Sequence, residues 1–142
     1  MVISYKPVGG GAFVQLAAEG TSVIPTGEFN PTFSSQVQEA PLFRSMTQFR
    51  ANRGNAKASW TMHLLGSYAT QDLALAAVST MEALRENGLA LFHVQVQATP
   101  TGLPQYLPNA TFSNYQPRVA GLVVEHTIQI ESDPLTNSAT GL

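Results

Sequence analysis

The chain has 142 residues and no cysteine, the length of one ordinary domain that can bury a core without a disulfide, and disulfides and thiolate metal sites are excluded. Charged residues make up only 11%, against about 25% in average globular chains, so much of the surface is weakly polar and suited to burial against neighbours. A formal net charge of −2 supplies no basic field for nucleic acid. No apolar run approaches the ~18 residues of a membrane span, and Met1–Pro7 lacks the apolar core of a signal peptide. The expectation is a soluble protein made in the cytoplasm.

Gly9-Gly10-Gly11 cannot hold a regular element and leads into a strand over Ala12–Ala18. Glu19-Gly20-Thr21-Ser22 reads as a turn, and Val23-Ile24 as a short possible strand. From Pro25 to about Lys57 the pattern is irregular, broken by Pro25, Gly27, Pro31, Pro41 and Gly54. Yet Phe29, Phe33, Phe43 and Phe49 lie within it, which a solvated linker would not carry. This stretch reads as a long extended arm or hairpin, about residues 29–57, that docks on something; an unrecognised strand pair is the alternative.

Trp60, Met62 and Leu64 alternate with Ser59, Thr61 and His63, the period of a half-buried strand. A helix follows over Gln71–Glu86, with Thr70 as N-cap, Asp72 in the first turn, and Leu73, Ala77, Met81 and Leu84 as its apolar stripe. Asn87-Gly88 supplies its stop. Three strands close the chain: about Ala90–Ala98, Asn109–Tyr115 ended by Gln116-Pro117, and Leu122–Glu131. In the last, Leu122, Val124, Ile128 and Ile130 share one face, and Glu125, Thr127, Gln129 and Glu131 the other. Residues 133–142 read as a flexible tail. The expected fold is one mainly β domain over residues 1–142, an antiparallel sandwich or barrel flanked by a single helix, with a long arm.

No catalytic apparatus is legible. His63, His93 and His126 fall singly in strand patterns and form no local metal motif, so ordinary buried or interface hydrogen bonds are expected of them. No G-x-S-x-G surrounds any serine. Glu125 and Glu131 stand roughly 20 Å apart by strand rise, too far for paired acid–base work. The triple glycine precedes a strand and lacks the lysine and hydroxyl of a nucleotide loop. No cofactor, metal or catalytic residue is assigned, and no enzyme is expected.

The charges are unevenly placed. Arg44, Arg50, Arg53 and Lys57 occupy the arm, with no Asp or Glu between Glu39 and Asp72, while after Arg118 every charged side chain is acidic. Three readings are open: a nucleic-acid patch with Phe43 and Phe49 stacking on bases, head-to-tail association of copies, or a solvated basic loop.

The strand Ser59–Leu65, the helix Gln71–Glu86 and the pair Asn109–Tyr115 and Leu122–Glu131, all following a long arm, resemble the tail tube proteins of long-tailed bacteriophages and their relatives in contractile injection machines. The likeness runs from Ala58 to Ser132; the triple glycine and the Pro100–Pro108 loop have no counterpart in it. The resemblance implies hexameric rings stacked into a tube, within a virion assembled with other tail proteins, through which DNA passes without specific binding. It implies Glu125, Thr127, Gln129 and Glu131, with Gln95 and Gln97, as channel-lining candidates. Phe29, Phe33, Phe43, Arg44, Phe49, Arg50, Arg53 and Lys57 are candidates for the contact with the next ring. A distal tail or adaptor ring, and a monomeric nucleic-acid- or ligand-binding module using the basic aromatic arm, are the alternative readings.

Overall fold

A computed structural model describes residues 1–35, 37–41, 48–52, 56–86, 91–99 and 101–142, with backbone alone for 37–41 and 48–52. Among them the strands are β1 (Val2–Pro7), β2 (Val14–Ala18), β3 (Val23–Pro25), β4 (Thr32–Ser34), β5 (Val37–Pro41), β6 (Gln48–Asn52) and β7 (Lys57–Ser67). After the helix α1 (Gln71–Glu86) come β8 (Phe92–Gln97), β9 (Gln105–Ala120) and β10 (Val123–Ser132). The mainly β fold with a single helix is as expected.

All pairings are antiparallel. One sheet runs β2-β1-β8-β9-β10-β7-β3, with β4 also on β7, and β5 pairs with β6 in a separate ribbon. The long strand β9 joins two halves: its first residues pair with β8, as in Ala110 with Phe92, and its remainder with β10, from Thr111 opposite Glu131 onward. Ile3, Val94, Val96 and Leu107 from one half, Trp60, Met62, Ile128 and Ile130 from the other, and Met81 of α1 belong to one buried cluster. The alternation expected along β7 and β10 is observed from Ala58 to Leu64 and from Val124 to Ile130, with His126 buried in the apolar row. Leu122, expected on that inner face, instead lies in the turn before β10 and is exposed, because the strand begins only at Val123.

Four differences have physical reasons. Val2–Pro7, too short and too punctuated to announce itself, is an interior strand between β2 and β8, with Ile3 fully buried. Pro117 does not end its strand: β9 continues to Ala120, because among the described residues it pairs past Ala110 only with β10, and its other edge has no ladder partner there that would need the missing N–H. The helix spans the expected residues, and Thr70 Oγ1 accepts from the Leu73 N–H at 3.3 Å. Its buried face, however, carries Ala74 and Met81 with Val78 and Leu84 beside them, while Leu73 is exposed. Met81 and Leu84 of the expected stripe keep their place, while in the first half of the helix the core-facing positions are Ala74 and Val78, each one residue on from Leu73 and Ala77. Finally, the tail does not hang free: Thr136 and Tyr106 exchange backbone hydrogen bonds of 2.8 and 3.0 Å, and Leu135 packs on the core. The expected Asn87-Gly88 stop lies outside the described residues.

Candidate functional site

The β9–β10 hairpin sets the geometry of the candidate channel face. Its two-residue turn, Gly121-Leu122, places Gly121 at φ 64° in the first central position, where a type II′ turn requires glycine. That turn pairs Val123 with Ala120 and so brings Arg118 opposite Glu125, Gln116 opposite Thr127 and Asn114 opposite Gln129; a bulge then leaves Thr111 opposite Glu131. On the other side of β10, Glu125, Thr127, Gln129 and Glu131 face Leu65, His63, Thr61 and Ser59 of β7. Directly opposed residues share a face, so three strands present one surface opposite the core. Apart from Leu65 it is built of polar side chains with few charges: Glu125, Glu131 and Arg118, with His63 exposed among them.

The four β10 candidates are therefore brought together, whereas Gln95 and Gln97 are not in the same rows. They lie on β8, in the other half of the sheet, opposite Ser4 and Val2 of β1, and the Gln97 amide donates to Gly102 O at 2.7 Å. Arg118 belongs to this face although it was not among the candidates. Its guanidinium stands 3.7 Å from the Glu125 carboxylate, with both side chains largely exposed, a pair of small energetic weight that still offsets one carboxylate. The signal was present in Ala120-Gly121-Leu122-Val123: a glycine turn flanked by β-formers fixes the register once Pro117 is allowed on an open edge.

Of the arm candidates, Phe29 meets Trp60 edge to face, ring centroids 4.9 Å apart, while the Trp60 indole N–H donates to Glu28 O at 3.1 Å. Phe29 is thus held mainly by its own chain. Phe33 is 59% exposed on β4. Lys57 begins β7 and borders a hollow shared with Glu131 and Asp133. The side chains of Phe49 and Arg50, and Phe43, Arg44 and Arg53 altogether, lie outside the described residues.

Behind the polar face sits a buried network. His126 is fully buried; its Nδ1 lies 2.6 Å from the Tyr115 hydroxyl and its Nε2 3.1 Å from the Tyr68 hydroxyl. Burial holds His126 below the ordinary imidazole range and pushes both phenols up, Tyr115 the further. Tyr68 reaches back because position 66 is glycine: a Cβ there would lie 2.6 Å from Tyr68 Cζ. His93 is also buried, so two of the three histidines serve the interior and His63 faces outward. Among the described residues no three His, Asp or Glu side chains gather to hold a metal.

No protein-family model matches the sequence, and no characterised protein matches it. Solved structures similar in shape include two from phage-derived particles. A chain in the cryo-EM structure of the sixfold-symmetrised baseplate of the anti-feeding prophage gives a TM-score of 0.49 at 10% identity, over 95% of this chain and 89% of that one. A chain in the tail of an empty GTA particle, determined by helical refinement with C6 symmetry, gives a TM-score of 0.52 at 15% identity, over 97% of this chain and 95% of that one. The chain shares its fold, end to end, with a component of that tail.

Proposed function

We propose that this protein is a structural, non-enzymatic subunit of a phage-type tail, which closes into hexameric rings that stack into a tube conducting DNA. The supporting observation is the fold shared over nearly the whole of both chains with a component of a tail of C6 symmetry. Two features of the chain suit that role. The outer face of β7, β9 and β10 is largely polar, continuous and sparsely charged, so a duplex sliding along it would meet few cations to hold its phosphates. The β5–β6 ribbon pairs with no strand of the main sheet among the described residues, which leaves it available to reach the next ring, with its arginines setting register and its aromatics supplying apolar burial. In this reading the protein is made in the host cytoplasm and resides in the virion beside other tail proteins.

Negative-stain electron microscopy of the purified chain tests the assembly directly: rings or tubes support it, and a monomer at every concentration counts against it. The channel reading is tested by Glu125→Lys. Tubes should still form, because the side chain is exposed and single surface changes stay within about 0.5 kcal/mol, with a little more from the new cation facing Arg118. Repeating the cation around the ring should reduce DNA delivery on the order of tenfold. Undiminished delivery would place this face elsewhere than the channel.

A further inference from the structure

The triple glycine, which plays no part in the tail reading, lines a hollow of about 470 Å³ together with Lys6, Val8, His93 and the last two residues. The strand pairing explains why His93 looks into it. Between Phe92 opposite Ala110 and Val94 opposite Leu107, two residues of β9, Pro108 and Asn109, stand against the single residue His93. This is a bulge, and Asn109 adopts φ 50° in it. Pro108 has no N–H, and the Asn109 N–H turns from the ladder to donate to His93 Nδ1 at 3.3 Å.

That bond assigns the tautomer. With Nδ1 accepting, the proton of the neutral ring sits on Nε2. His93 is 4% exposed, yet its Nε2 makes no hydrogen bond among the described residues and is not a sealed-off buried atom. It is a donor that opens onto the hollow. Lys6, on the adjacent strand directly opposite His93, lies with its ammonium 5.0 Å from the centre of the Phe13 ring and has no carboxylate partner among the described residues. Leu142 also lines the hollow and forms no ion pair with Lys6.

The glycine loop adds backbone donors. Gly10 N–H bonds back to Pro7 O at 3.4 Å, but those of Gly9 and Gly11 make no hydrogen bond among the described residues. Gly9 and Gly11 have φ of 88° and 77°, and a Cβ at any of the three would meet nothing within 4 Å, so the glycines are not there to relieve crowding within the chain. Lys6, His93, Gly9 and Gly11, each with a donor that makes no hydrogen bond or ion pair among the described residues, thus line one hollow with Leu142, and no Asp or Glu side chain is among its lining.

We propose that this hollow binds a phosphate-sized oxyanion, with Lys6 as the charge partner, His93 Nε2–H as the directional donor and the Gly9 and Gly11 amides as the cradle. The chemistry is that of backbone nests and charge-assisted hydrogen bonds. The ligand carries a phosphate group, either free or borne on a nucleic acid.

The test is 31P relaxation of inorganic phosphate titrated with the protein at constant ionic strength in chloride, a readout that works on monomers and assemblies alike. Saturable broadening is expected, and Lys6→Met should weaken it roughly tenfold, the worth of one charge-assisted bond. His93→Gln should weaken it also, whereas Arg85→Met, on the helix and paired with Glu82, should leave it unchanged. Displacement by a short oligonucleotide at lower concentration than inorganic phosphate would identify a nucleic-acid phosphate, and its failure to displace would identify the free anion. Absence of protein-dependent broadening, or broadening unaltered by Lys6→Met, would overturn the site.

Discussion

A chain in which Asn-Gly replaces residues 35–56 is expected to fold and form rings but not tubes. The base of the arm makes this excision possible. β4 and β7 pair so that Ser34 stands directly opposite Lys57, about 5 Å apart across the ladder, a gap that a two-residue type I′ turn closes. Among the described residues β5 and β6 pair only with each other, so the excision removes no ladder bond of the main sheet. Phe29 and its contact with Trp60 are retained, as is the indole hydrogen bond to Glu28. The thermal midpoint should therefore move by no more than a few degrees, roughly the effect of 1 kcal/mol in a domain of this size. If the full chain stacks into tubes as proposed, micrographs of this variant should show single rings. Tubes of ordinary length would remove the arm from the inter-ring contact, and loss of the rings themselves would move it to ring closure.

The urea midpoint is expected to fall as pH is lowered from 7.5 towards 5, with His126 and His93 as the causes. Burial holds His126 below the ordinary imidazole value, and burial with the neighbouring Lys6 charge does the same to His93. In the unfolded chain both titrate near 6.5. Below that pH the unfolded chain takes up protons that the folded chain refuses. Stability is therefore full above 6.5 and is lost as pH falls through it, by at most about 1.4 kcal/mol per pH unit for each histidine.

The groups bonded to His126 leave this window to it: Tyr115 and Tyr68 hold their protons more strongly than ordinary phenols, and Glu82, whose charge acts on Tyr115, is lowered by its hydrogen bond to Arg85 and titrates only in the acid range below 4.5. His126→Gln should cost about 2–4 kcal/mol at pH 7.5 through the disrupted tyrosine network. It should also shallow the slope between pH 7 and 5, leaving the contribution of His93. An unchanged slope in that variant would show that His126 is not the titrating group.

Much of this molecule was legible because its signals are local. Thr70, Asp72 and the apolar spacing define α1 within one stretch of chain, and the bounds Gln71–Glu86 hold. Alternation in Ser59–Leu65 and Leu122–Glu131 names which side chains turn inward, since successive residues of a strand must point to opposite faces. The polar row Glu125, Thr127, Gln129 and Glu131 followed from that rule without knowledge of any partner strand.

Tertiary structure decided what locality cannot. Val2–Pro7 is a strand because β2 and β8 flank it, and Pro117 is tolerated because its outer edge has no ladder partner among the described residues. Leu73 faces water and Ala74 the core because the sheet, not the helix's own hydrophobicity, selects which side is buried. Arg118 reaches Glu125 through the register of a turn, and His93 meets the glycine loop through a bulge two strands away from it. Each depends on pairings between residues distant in the chain. Composition and periodicity record only the preferences of single residues for water or core, and two chains with the same preferences can differ in every such pairing.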